Sequence, residues 1–597
     1  MATSYEDSEN VIQAPLTQEQ DTNMPEHDLP ANIDQEAANT DEEGSTPRVS
    51  KSTIMAVFFM GLSYVAPTTF GLSLPSSILT QIGTDLNSTT NIAWISSGWS
   101  VASAVSCSIA GNLSDIFGRR YVLLSGQVTV LIGSSKKIIS ATAHKTTIVA
   151  AGTTIIGFGS GFIFVSYPGI AEILPNKYRG IGLGWTEFCI VIPWGVAGGL
   201  VANELYVHAS WRWVFYVAII YSVVVIVGTA VFYFPPSRPR NDYDKSGWQE
   251  FKELDFVGVF LFASGLSLFL VGLAYLGTSA YSIPLVASTM AVGGIAFIAS
   301  VAYDFTIAKN PIFPFHLFAM TRKFTIHLVV LFVAGMIWQA VSTLAPQATL
   351  YIFTNNSFEL GVLQIPNNTA GVLGGWVMPS LVHKIKHIRI QIIFALVLQT
   401  VFTACYAAVL PNNKMTWSVF QLFGQCCFTW VTTLAYLSSG LFVPQEELGV
   451  SSGLIGTFRS AGASVGNTIF STILASIINN RLASYISKAA IENGFPAAAE
   501  GLQKLIPAVI ENAVGVPDAF VGLAEASPAV IAATSQALKD AYVYAFKRVF
   551  LSTIPFGVIA IVAAWFIEDA SHLLNNQVAV QQEREVLDRT TQLKTEA

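Results

Sequence analysis

Apolar stretches about twenty residues long recur almost from one end of this chain to the other. A bilayer's hydrocarbon core is about 30 Å thick and takes about 20 apolar residues to cross as a helix. Fourteen runs come close to that length, at 53–78, 92–112, 120–136, 147–171, 181–203, 212–235, 256–277, 281–303, 324–352, 359–382, 390–411, 416–443, 450–478 and 547–567. Lipid offers no water to an unpaired peptide group, so spans of this length must be helices. The expected fold class is therefore an all-α integral membrane bundle. Composition agrees: only 12% of the 597 residues are charged, where a soluble domain carries about 25%. The third run is the weakest, because Lys136 and Lys137 cut it short; lysines placed there are expected to snorkel to the interface.

The remaining segments set the organisation. Residues 1–50 are acidic and poor in aromatics, which predicts a disordered tail and is unlike a cleavable signal peptide. Residues 51–235 hold six runs, 236–254 form a polar linker containing PPSRPR, 255–304 hold two runs, and 305–570 hold six more. Within the last block, 479–545 reads as a long outer loop. Its stretches LASYISKAA and SQALKDAYVYAF have amphipathic helical character, so an ordered cap is expected. Residues 571–597 are a short tail. Two six-helix halves plus two linking helices give 14 transmembrane helices, an extension of a common transporter plan.

Arg119, Arg120, Lys177, Arg179, Arg322, Lys323, Lys384, Lys386 and Arg389 fall in loops on one side, against Lys136, Lys137, Lys145, Arg212 and Lys414 on the other. Basic residues mark the cytoplasmic side, so both termini are expected there, in a multi-pass protein of the plasma membrane or of a vacuolar or vesicle membrane. Asn87, in Asn87-Ser88-Thr89, is then an outer glycosylation candidate, with a plain polar turn as the alternative. There is no basic surface for nucleic acid. The five cysteines all lie in apolar runs without metal-ligand spacing and read as small buried hydrophobes. No catalytic pair and no phosphate-binding loop is present. An enzyme, a metal and a cofactor are not expected. The expected partners are the lipid bilayer, a small-molecule substrate and protons, with the protein acting as a monomer.

One short polar cluster interrupts the apolar pattern, GNLSDIFGRR at 111–120. Gly111 would let a helix end approach its neighbour closely, and Gly118 would permit a tight turn. Arg119 and Arg120 would hold the loop at the cytoplasmic face. Asp115 could bond the amino end of another helix, which carries about half a positive charge. Such a contact in only one conformation would make the cluster a latch; without it the cluster is a topology marker. Residue chemistry alone leaves both readings open.

This decapeptide resembles the helix 2–3 signature of the major facilitator superfamily. Glu172-Ile-Leu-Pro175-Asn-Lys-Tyr-Arg179-Gly180 resembles its helix 4–5 loop, and the resemblance implies that Glu172 and Arg179 join the charge network around Asp115. Gly195-Val-Ala-Gly198-Gly199 is similar to the glycine-rich motif of antiporter members, implying helix packing there. Trp211-Arg212-Trp213 is typical of the fourteen-helix drug:proton antiporter branch. LDFVG at 254–258, NPIFPFHLF at 310–318 and the long outer loop look most like the fungal trichothecene-efflux-pump type, which includes siderophore transporters. Some positions depart from the pattern: Thr153 stands where antiporters usually carry arginine, and HKIKHIR at 383–389 lacks an acid.

Ionisable residues at bilayer depth are functional candidates by default. Glu187 is the foremost, on the face expected for Trp194 and Gly198; a structural acid is the alternative. Arg459 could meet an anionic substrate or an acid, and His327 could relay protons. Tyr167, Trp194, Trp338, Gln339, Gln364 and Asn368 are candidate cavity residues suited to a bulky, oxygen-bearing ligand. The resulting expectation is proton-coupled efflux of a toxin, drug or secondary metabolite by alternating access. A siderophore–iron importer of the same fold is the alternative, and a non-transporting receptor a weaker one.

Overall fold

The computed structural model describes residues 50–574 apart from 79–81, 83–84, 87–93, 142–145, 236–254, 277–281, 309–310, 312, 445–446, 497–498, 514–518, 521–522 and 524–525. The acidic tail, Asn87 and the 236–254 linker lie outside the described residues. All long elements are helical. In chain order we label them α1 (Lys51–Ser77), α2 (Trp94–Phe117), α3 (Arg119–Ala141), α4 (Thr146–Ile173), α5 (Arg179–Ala202), α6 (Trp213–Phe232), α7 (Phe256–Leu276), α8 (Ile283–Thr306), α9 (Thr321–Phe353), α10 (Ser357–Gly371, continuing through a wider turn at Val372–Val377), α11 (Ile388–Val409), α12 (Lys414–Phe442), α13 (Leu448–Glu492), α14 (Ala499–Ala513) and α15 (Pro528–Trp565). Ten of the described helices are long and apolar enough to cross a bilayer. α2 is not among them, because serines at 96, 97, 100, 103, 106, 108 and 114 dilute it.

Helix starts follow local chemistry. A short polar side chain beside the first turn can bond amides that no carbonyl reaches. Asp255 accepts from the Gly258 amide at 2.9 Å before α7. Asn356 accepts from Phe358 at 3.0 Å before α10, and Asn413 from Met415 at 3.0 Å before α12. Ser527 accepts from Val530 at 3.3 Å before α15. Within α5 the helix breaks at Ile192 (φ −107°, ψ 126°), because Pro193 pushes the residue before it toward extended backbone.

Helices α1–α6 pack together, as do α9–α13 with α15. The two groups meet along two seams, α2 against α13 and α5 against α10. α7 packs on α8, and also on α2 and α13, so it spans one of those seams. Its buried stripe is Phe262, Leu266, Leu270 and Leu273. α8 turns Ile283, Ile295 and Ile298 outward, as a lipid-facing helix should.

Most of the described residues of 479–545 are helical. α13 runs on to Glu492, α14 follows, and α15 begins at Pro528, so the flanking helices extend well beyond the apolar runs that mark them in sequence. Leu482, Ile486, Ala490, Phe495, Leu505, Val509, Val530 and Leu538 form a core of their own. That core is continuous with Leu344, Tyr406, Trp417 and Phe550. Tyr351 of α9 stacks on Tyr542 of α15, with ring centroids 4.1 Å apart. This helical cap is therefore built on the carboxy-terminal group of helices. At the opposite end, the chain leaving α15 is pinned down. The Glu568 amide donates to the Arg322 carbonyl at 3.1 Å, the Ile388 amide donates to Ser571 Oγ at 3.0 Å, and Ile567 and Ala570 are fully buried.

The cap core gives a stability expectation. Leu505→Ala should cost about 2–5 kcal/mol, read as a lowered melting temperature in detergent and faster protease cutting near α14. An unchanged melting curve would mean that α14 does not rest on this core.

Candidate functional site

Two groups of polar side chains are buried where the two helical halves meet. The first lies at the amino end of α13. Gly118, with φ +85°, makes the turn between α2 and α3, a backbone conformation that suits glycine. That turn swings Arg119 inward, where it is 2% exposed. Its Nε and Nη2 donate to Glu172 Oε1 at 3.1 and 2.6 Å. Its Nη1 donates to Ser114 Oγ at 2.6 Å and also to Asp115. Arg179 is buried beside Glu172 within electrostatic reach. Two acids and two bases thus share one site, and their formal charges cancel. Removing one partner of such a set costs about 3–5 kcal/mol, because it strands a buried charge.

Asp115 carries this group across to the other half. Its Oδ2 accepts from the Val450 amide at 2.8 Å and its Oδ1 from the Gly449 amide at 3.2 Å. Both are first-turn amides of α13, which lack carbonyl partners within their own helix. An acid at a helix start contributes about 0.3–2 kcal/mol. The approach depends on glycine. A Cβ on Gly111 would lie 3.1 Å from the Gly449 carbonyl carbon and 3.2 Å from Gly453 Cα. Farther along the seam, Thr457 Oγ1 donates to the Ala104 carbonyl at 2.8 Å. Arg120 points elsewhere: it donates to the Ala230 carbonyl at 2.9 Å and sits over the Phe234 ring at 3.7 Å, tying α3 to the end of α6.

The second group lies deeper. Tyr167 Oη donates to Glu187 Oε1 at 2.8 Å, with both residues buried. Phe164 and Tyr167 stack at 4.6 Å. Tyr64 of α1 meets Tyr167 edge-on at 5.8 Å, and Tyr436 of α12 tilts against it at 5.2 Å. The Arg459 guanidinium lies 5.9 Å from the Phe164 ring centre, within electrostatic reach of Glu187. Gly375 of α10 seats its backbone on Glu187, since a Cβ there would come within 2.6 Å of Glu187 Cβ. Five helices from both halves thus supply one carboxyl, one guanidinium and three phenols, and a sixth, α10, packs against them.

The other candidates are dispersed. His327 is fully buried and pairs through Nε2 with Ser438 Oγ at 3.1 Å, joining α9 to α12. Trp338 stacks on Phe428 at 4.9 Å. Trp194 packs on Phe70 at 5.1 Å and does not continue the Glu187 face, because the helix breaks between them. Gly198 faces Leu74, and Gly199 faces Gln364. Gly195 instead faces the Ile190 carbonyl of its own chain. Asn368 is half-buried on α10. Gln339 lines a small polar cavity with Asn467. Sequence reasoning missed Tyr64, Tyr436 and the Gly449/Gly453 pair. Only the glycines left a signal, as small residues four apart in LGVSSG.

Two helical halves meeting along paired seams, with buried charge at the joints, define a major facilitator transporter. Solved structures agree on the fold. The proton:xylose symporter XylE matches with a TM-score of 0.51 at 12% identity, covering 90% of this chain and 100% of its own. The human organic anion transporter MFSD10 matches with a TM-score of 0.50 at 12% identity, over 87% and 100%. The chain belongs to the family described as Fungal trichothecene efflux pump, which matches residues 22–594. Among its relatives, the trichothecene efflux pump TRI12 of Fusarium sporotrichioides is 27% identical over 90% of this chain and 88% of its own length. The MFS-type transporter prx5 of Penicillium rubens is 26% identical over 90% and 95%. This is a transporter of the multi-pass membrane class and not an enzyme.

Asp115→Asn keeps the shape but removes the charge that the α13 amides and Arg119 receive. The expected outcome is normal membrane abundance with transport at least tenfold lower. Wild-type flux at equal abundance would reduce the cluster to a topology marker.

Proposed function

We propose that this chain is a proton-driven exporter of a toxin or related secondary metabolite, working by alternating access between its two halves. The observation that carries the reading is the Asp115 carboxylate seated on the first turn of α13, a small polar contact joining one half to the other. A contact of about 2 kcal/mol made in only one conformation shifts the balance roughly thirty-fold. Gly111, Gly118 and the Arg119–Glu172–Arg179 group hold the carboxylate in place; Arg120 anchors the loop to α6. Opening this end releases the two amides and exposes the Glu187 cluster to the side of the membrane on which Asp115 lies.

Glu187 is the proton site in this reading. It sits where both halves contribute side chains, so a change in its charge is felt by both. Arg459 lies within electrostatic reach of it, and Tyr167 donates a hydrogen bond to it. Each unit of pH difference supplies about 1.4 kcal/mol per proton, enough for a tenfold substrate gradient. The family and the relatives' names support outward transport of trichothecene-like compounds; the basic residues in the loops at the Asp115 end favour both termini cytoplasmic, and the membrane proposed is the plasma membrane.

The direct test is flux of a radiolabelled trichothecene in proteoliposomes under an imposed pH gradient. Substrate movement opposite to the protons supports the reading. Ferric-siderophore movement with the protons, and none of the trichothecene, replaces it with import. Glu187→Gln should flatten the pH dependence of flux while substrate still binds. A pH profile identical to wild type removes Glu187 from coupling.

A further inference from the structure

The α2–α13 seam changes character along its length. Near Asp115 it is closed by bare backbone: Gly111 lies against Gly449 and Gly453, and a Cβ on Gly453 would meet the Cys107 carbonyl at 2.6 Å. Past Arg459, toward the cap, the same seam opens into a small cavity. Ser96 and Ser100 of α2, Gln339 of α9, and Ser464, Asn467 and Thr468 of α13 line it. None of the six is charged. Their hydroxyls and amides can each donate and accept, so the lining suits a neutral hydrogen-bonding ligand. The room corresponds to about one water molecule. Ser464 Oγ is buried there and finds no partner among the described residues; a water would supply one.

The lipid flank of this cavity is covered. Leu270 of α7 forms part of its wall, within the buried stripe Phe262–Leu266–Leu270–Leu273. A hydroxyl-lined groove facing hydrocarbon would leave polar groups unpaired. An apolar helix laid along it removes that exposure.

We propose that this cavity is a hydration site on the route by which protons pass between the cap end and the Tyr167–Glu187–Arg459 cluster, with α7 as its seal against lipid. It rests on the proton-coupled reading above. The route continues inward along one face of α2, since Ser96, Ser100, Ser103 and Cys107 are spaced four, three and four residues apart. Ser103 bonds the Cys107 side chain, which lies within reach of Arg459. Tyr64 and Tyr436 complete the approach to Tyr167. Substrate oxygens share the same hydrogen-bonding chemistry, but a site for one water does not seat a multi-ring compound.

The test uses the full chain in proteoliposomes and silver ion, a thiol-reactive cation of about the size of a water molecule, added from the cap side. The unsubstituted protein gives the background from its native cysteines. Ser464→Cys is expected to react at least tenfold faster than Ser106→Cys, which is fully buried against Gly161 of α4, and a trichothecene is expected not to slow it. Equal rates would make the cavity dry, and protection by the trichothecene would make it a substrate subsite; either overturns the proposal. Ser464→Val and Ser464→Thr have nearly the same shape. The valine variant is expected to slow proton flux at least fivefold with unchanged trichothecene Kd, and the threonine variant to restore it. Equal proton flux in the two variants overturns the route. If the wild-type protein moves no protons, the route falls with the coupled reading, while the labelling rates still report whether the cavity is wet.

Discussion

A helix start has amides with nothing of its own to bond, and in a membrane-embedded bundle they must be answered by something nearby. At α13 that answer comes from the other half of the molecule, through Asp115. The rest of the junction follows. Glycines at 111, 449 and 453 are needed because the carboxylate reaches the amides only if the two backbones nearly touch. Arg119 is needed because Asp115 and Glu172 would otherwise repel each other. The +85° turn at Gly118 is needed to aim Arg119 inward.

The two seams divide the labour. At α2–α13 the portion near Asp115 is held by backbone contact and by the Thr457–Ala104 hydrogen bond, and the portion toward the cap opens into the hydroxyl-lined cavity. At α5–α10 the contact is between Gly375 and the stem of Glu187, so the buried acid is itself part of the joint. Any change that swells or shifts Glu187 must be accommodated by α10. The aromatic side chains around it, from α1, α4 and α12, form a low-dielectric wall in which a single charge acts strongly.

Much of this was legible in the sequence. The apolar runs located helices, ten of which are long and apolar enough among the described residues to cross a bilayer, and the decapeptide at 111–120 located the α2–α13 junction down to the acid and its arginine. What escaped had physical causes. The start of α15 was invisible to an apolar count, because residues 528–546 lie largely in the cap, where an amphipathic Ala-rich helix suffices. The shared face of Glu187 and Trp194 assumed an unbroken helix, although Pro193 was there to interrupt it. Tyr64 and Tyr436 could not be singled out, because a tyrosine in an apolar run looks the same whether it meets a carboxyl or a leucine. Partners across the two halves are hundreds of residues apart, and no local pattern encodes which helix end an acid will find.

α13 runs unbroken for 45 residues, so at 1.5 Å per residue it is a rod about 67 Å long. One end carries the two amides held by Asp115, and the other is built into the cap. A rod of that length acts as a lever: tilting it by about 10° sweeps the distant tip through about 12 Å. Angstrom-scale slippage beside Asp115 is thereby magnified into a displacement of the cap larger than a helix radius.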